Sequence, residues 1–214
     1  MSPEAKGFAI ETGVREDTLQ PYRDELKVQF KNQFPELKVG DIFPSIMGTY
    51  FDPETGPDDF DFSNIPGIKI VSVINQHRTK VCDRQTGRME QFSREHPEIT
   101  VITVSKLDPK KGSKELSNIA MDQDLTHRLV AIDEEGAEAL GVGLKPDQEN
   151  SDAGDEWNEM LLRAVYVLNE KNEIIAMELV QDQNNEPTYR DITKDDGKVI
   201  RGCFDVAETL ATAA

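Results

Sequence analysis

Of the 2 cysteines in this chain, Cys82 has the neighbours that would make a sulfur react. Thr79 stands three residues before it, and its hydroxyl can both accept and donate, holding a thiolate while touching an oxygen-bearing substrate. Arg78, Lys80, Arg84 and Arg88 make this one of the most basic stretches of the sequence, and cations beside a sulfur stabilise negative charge on it. The chemistry is nucleophilic attack by a thiolate. An isolated free cysteine is more often a buried small hydrophobe, so the reading rests on the combination. Cys203 has no comparable activating neighbour and reads as inert, with approach to Cys82 in its own or a partner subunit as the alternative.

The elements that must position Cys82 lie on either side of it. Ile68, Ile70, Val71, Val73 and Ile74 form an apolar, β-branched run after Pro66-Gly67, which predicts a strand buried on both faces. Cys82, Gln85, Met89 and Phe92 then recur at helical spacing, with Arg84, Arg88, Glu90 and Gln91 elsewhere around the wheel. Cys82 therefore falls at a helix start, where unpaired N–H groups and the dipole favour a negative sulfur. His96-Pro97 should end this helix, and Ile99 to Val104 reads as a second buried strand. Strand, helix and strand imply a right-handed parallel crossover.

The 214 residues suffice for one sizeable core, and 37% hydrophobic with 30% charged residues suits a folded domain. A formal net charge of −17 argues against nucleic acid and anionic membranes as partners. No apolar run approaches the roughly 20 residues of a membrane span, and the polar start Met1-Ser2-Pro3-Glu4 reads as a cytoplasmic chain. The two cysteines are too far apart for a zinc ribbon or a Cys-x-x-Cys dithiol, and in a reducing compartment they read as thiols. His77, His96 and His127 lack metal-ligand spacing, and His77 reads as a surface residue rather than a partner of Cys82. No metal or organic cofactor is expected.

Thr79-Lys80-Val81-Cys82, followed by Gln85, Arg88 and Phe92, resembles the peroxidatic-cysteine segment of the peroxiredoxin superfamily, most closely its thiol peroxidase branch. The threonine and cysteine positions match, and the proline position four residues before the threonine is held by Asn75. Val39-Gly40-Asp41 with Pro44 is similar to the family's domain entry, Ala139-Leu140-Gly141-Val142 to a Tyr-Gly-Val segment, and Arg163-Ala164-Val165-Tyr166-Val167 to the strand whose arginine reaches the sulfur. The resemblance implies an α/β thioredoxin-like fold, a central mixed sheet flanked by helices, over residues 39–214. It implies catalytic Cys82, Thr79 and Arg163, with Cys203 as a candidate resolving residue, because Leu116 occupies the region where the family often carries one. The activity implied is reduction of hydrogen peroxide or organic hydroperoxides through a cysteine sulfenic acid. The implied partners are a peroxide substrate, a thioredoxin-like or low-molecular-weight thiol reductant, and a second copy of the chain in a homodimer.

Two of the remaining stretches are expected to be additions. Residues 1–38 form an N-terminal extension with an amphipathic helix from Thr18 to Phe34, and residues 145–159 an acidic loop whose sixth residue from Asp147, Asp152, excludes an EF-hand. Tyr50 to Asp61 reads as loop with at most a short strand, its aspartates a solvated surface. Ser105 to Ser117 reads as a loop followed by a short helix, Glu134 to Leu140 as a short helix, and Leu161 to Val180 as a hairpin about Asn169–Asn172. A closing helix is expected from Asp205, preceded by Cys203. Two alternatives from other classes are a thioredoxin-fold binding module that has lost turnover, and a redox sensor oxidised at Cys82.

Overall fold

The computed structural model describes residues 37–52, 56–75, 77, 79–106, 109–143, 161–180, 186–194 and 199–213. Nearly all of the N-terminal extension and the whole acidic stretch 145–159 lie outside the described residues, as does Arg78.

A seven-stranded sheet organises the described residues, in the order β2-β1-β5-β4-β3-β6-β7. Its strands are β1 (Met47–Asp52), β2 (Gly56–Asp61), β3 (Lys69–Val73), β4 (Thr100–Lys106), β5 (Arg128–Ile132), β6 (Ala164–Leu168) and β7 (Ile174–Leu179). The helices are α1 (Lys80–Glu95), α2 (Pro109–Asp122), α3 (Glu134–Ala139) and α4 (Cys203–Ala213). β3, β4 and β5 run parallel, and β1 and β6 flank them antiparallel. This is the α/β thioredoxin-like arrangement with a mixed sheet.

All five residues of β3 are buried, as expected of a parallel strand covered on both sides. Val71 and Val73 face a core completed by Phe43, Phe62, Leu140 and Tyr166, and Ile70 faces one built from Met89 and Phe92 of α1 and Phe204 and Val206 of α4. α2 covers Leu129 and Ala131 of β5 with Leu116 and Ile119. The face beneath α1 turns polar along the middle of the sheet, where Ser72, Thr103 and Ser105 are buried. The elements packed there must answer with hydrogen bonds.

Three expectations differ from the structure. Tyr50 to Asp61 is not mainly loop: β1 and β2 pair over six positions, because Tyr50 and Phe60 meet edge to face at 5.6 Å on the inner face while Asp58 and Asp59 stay exposed along an edge. The aspartates disguise an edge strand, where charge is well tolerated. β1 then approaches β5 so closely that a Cβ on Gly48 would lie 2.8 Å from the Ala131 carbonyl oxygen. The segment after β4 is mostly helix, because Pro109 opens α2 in the position where a missing N–H costs nothing. Cys203 does not precede the last helix but begins it.

Candidate active site

α1 starts where the sequence places it, and Thr79 is the reason. Thr79 has extended backbone (φ −103°, ψ 146°), and its Oγ1 accepts the Cys82 N–H at 3.3 Å while its carbonyl accepts the Asp83 N–H at 2.8 Å. The hydroxyl thus satisfies one of the orphan donors of the first turn. α1 stops at Glu95 because His96 precedes Pro97 and adopts a non-helical conformation. Cys82 is in the first turn, 1% exposed, a free thiol at the end of β3.

Arg163 reaches it from the other side. The residue sits immediately before β6, its carbonyl accepting the Val180 N–H at 2.9 Å, and its side chain is carried under α1 with only 1% of the residue exposed. Arg163 Nη2 donates to Cys82 Sγ at 3.4 Å. Its Nη1 donates to Gln85 Oε1, and Gln85 Nε2 in turn donates to Ser72 Oγ at 2.8 Å and to the Val73 carbonyl at 3.4 Å. A guanidinium against a sulfur, at a helix N-terminus and away from water, stabilises negative charge placed there.

No family model matches the chain. A thiol peroxidase from Halalkalibacterium halodurans is 28% identical over 157 residues, spanning 72% of this chain and 84% of that protein. A peroxiredoxin-like protein from Aquifex aeolicus has a TM-score of 0.59 at 17% identity, over 84% of this chain and 90% of that one. A thiol peroxidase from Chromobacterium violaceum has a TM-score of 0.52 at 15% identity, over 72% of this chain and 82% of that one. The chain is a distant homologue of the thiol peroxidases.

In this thiol peroxidase homologue the structure brings Cys82, Thr79 and Arg163 together, although the arginine follows the cysteine by 81 residues. Cys203 is held elsewhere. Its backbone N–H donates to the Thr188 carbonyl at 3.0 Å, and its side chain packs among Val165, Val167 and Phe204. Burial pushes the Cys203 thiol up, and the Glu178 carboxylate nearby adds to the effect. Such a thiol is a poor nucleophile at neutral pH.

One further correction concerns a histidine. His77 is not a surface residue: it is buried, with Nε2 at 2.7 Å from Ser105 Oγ, and it anchors the loop ahead of Thr79 to the end of β4. His127 is buried against Glu90 of α1, Nδ1 donating to Oε2 at 2.7 Å, with Thr103 Oγ1 at 2.9 Å from Nε2. Among the described residues no group of three or more His, Cys, Asp or Glu is placed to hold a metal. The residues that sequence reasoning left without a role are Gln85 and Ser72. Their signal was a glutamine on the buried stripe between Cys82 and Met89, and a serine inside an otherwise apolar strand.

Proposed function

We propose that this chain is a thiol-dependent peroxidase in which Cys82 is the nucleophile. Its thiolate attacks one oxygen of hydrogen peroxide or an organic hydroperoxide, the O–O bond breaks, and the departing oxygen takes a proton to leave as water or an alcohol. The sulfur is left as sulfenic acid. Arg163 stabilises charge on the sulfur and on the oxygens as it passes between them, and Thr79 offers its hydroxyl proton to the peroxide. The observation that carries this reading is the 3.4 Å contact between Arg163 Nη2 and Cys82 Sγ, two groups that are each 1% exposed.

The second half of the cycle uses an outside reductant. Cys203 is buried in another part of the core with its thiol pushed up, so two equivalents of an external thiol reduce the sulfenic acid. The first forms a mixed disulfide with release of water and the second frees Cys82. A thioredoxin-like protein or a small thiol fits this role, and a reducing cytoplasm would supply either.

The test is the intact mass of reduced protein after a stoichiometric pulse of hydrogen peroxide, beside Cys82→Ser and Cys203→Ser. Gain of one oxygen by the wild type and by Cys203→Ser, absent from Cys82→Ser, is the expected result. Loss of two hydrogens that Cys203→Ser abolishes would make Cys203 the resolving residue. An unchanged mass, while the same peroxide oxidises a small thiol in a separate tube without the protein, would sink the enzymatic reading.

A further inference from the structure

We propose that Gln85 is a positioning residue for the Cys82 centre: its carboxamide, oriented by Ser72 and the Val73 carbonyl, holds the Arg163 guanidinium against the sulfur. The inference rests on the peroxidase reading and extends it to a neutral side chain that does not itself touch the sulfur.

Gln85 lies one helical turn beyond Cys82 and is fully buried, as is Ser72. The two ends of its amide meet groups of opposite character. A guanidinium has only donors and a peptide carbonyl only acceptor sites, so the amide fits one way round, with Oε1 toward Arg163 and Nε2 toward Val73 and Ser72. Reversed, it would set N–H against N–H and oxygen against oxygen. A carboxylate of the same size fits one end only. Its second oxygen would face the Val73 carbonyl, and its charge would draw the guanidinium into an ion pair, weakening the field at Cys82 Sγ. Glutamine fixes the arginine without neutralising it.

The other charged side chains along this part of α1 are Lys80, Asp83, Arg84, Arg88 and Glu90, and Arg88 is paired with Glu186 at 2.8 Å. Asp83 accepts from Gln123 Nε2 at 3.1 Å, Arg84 is paired with Glu186, and Glu90 is engaged by Arg94, Thr126 and His127. Among the described residues, the charged group that meets the sulfur from the sheet side is Arg163.

The experiment is the rate at which iodoacetamide alkylates Cys82 as a function of pH, in a Cys203→Ser background with and without Gln85→Glu, Gln85→Met or Ser72→Ala. Gln85→Glu should slow alkylation at mildly acidic pH by about tenfold, the change that a one-unit displacement of the profile produces. Ser72→Ala and Gln85→Met should displace the profile the same way. If packing is all that Gln85 and Ser72 contribute, the variants unfold at lower denaturant but their pH–rate profiles coincide with the parent, and the proposal is overturned. Should the Gln85 variants not fold, the Ser72→Ala profile decides alone. The two readings fail separately: a wild type that peroxide does not oxidise removes the enzymatic reading while the alkylation profiles still judge this one.

Discussion

Removing the Thr79 hydroxyl takes away the acceptor of the Cys82 N–H, in a residue that is itself exposed and packs little. Thr79→Ala should therefore lower stability by about 1 kcal/mol, and Thr79→Ser should restore most of it, both read from urea unfolding. At this scale legibility depended on whether a residue's role is local. The cap and the cysteine were readable because both belong to one turn of helix. Arg163 was readable only through resemblance, since nothing in its own segment distinguishes an arginine buried against a sulfur from one in solvent. Lys69 shows the same limit: it interrupts an apolar strand yet is 1% exposed, its Nζ donating to the Ile65 and Gly67 carbonyls at 2.9 and 2.6 Å. A lysine that finds two carbonyls can be buried, but the partners come from the turn geometry, which includes Gly67 at φ +75°.

At the scale of elements, α1 is fixed to the sheet by Glu90. Burial works against the carboxylate's charge, but hydrogen bonds from His127, Arg94 and Thr126 outweigh it and hold the group well below the usual carboxylate range. A depressed folded-state value contributes stability that is present above the ordinary value of 4.5 and lost as pH falls toward the folded one. Glu90→Gln should cost about 3 kcal/mol at neutral pH by leaving His127 and the Thr126 donors poorly matched. It should also flatten the acid limb of the stability profile, and a wild-type acid limb retained in the variant would assign the acid sensitivity to other carboxylates. The strands and helices around β3, α1 and β4 were legible because periodicity is local. The β1–β2 hairpin was not, because an edge strand carrying aspartates has the composition of a loop.

For the molecule as a whole, α4 and the segment before it close over α1 and β6. Phe204 stacks on Phe92 at 4.1 Å, and Glu186 accepts from both Arg84 and Arg88. Gly202 permits this closure: a Cβ there would fall 2.3 Å from the Tyr189 carbonyl oxygen and the Arg190 nitrogen. Gly202→Ala should destabilise by roughly 1–3 kcal/mol or more, seen as a lower thermal midpoint, because the clash is with backbone. The net charge of −17 adds a second expectation. Raising ionic strength from about 0.01 to 0.15 M shortens the screening length from roughly 30 to 8 Å. Repulsion among the carboxylates is then relieved, so the thermal midpoint should rise, whereas a fall would show that surface ion pairs outweigh it. None of this closure was legible in residues 186–202, whose composition is that of a polar tail.

The 81-residue separation between Cys82 and Arg163 also orders events in time. At about 5–20 residues per second, a ribosome adds the arginine on the order of ten seconds after the cysteine. During that interval β3, α1 and β4 can assemble from contiguous chain, but the sulfur lacks the Arg163 guanidinium. A nascent chain thus carries its cysteine without that contact, and the finished hairpin of β6 and β7 brings the cation. On the peroxidase reading, helix formation in refolding experiments should precede the acquisition of fast thiol chemistry, because the latter waits for β6 to pair with β3.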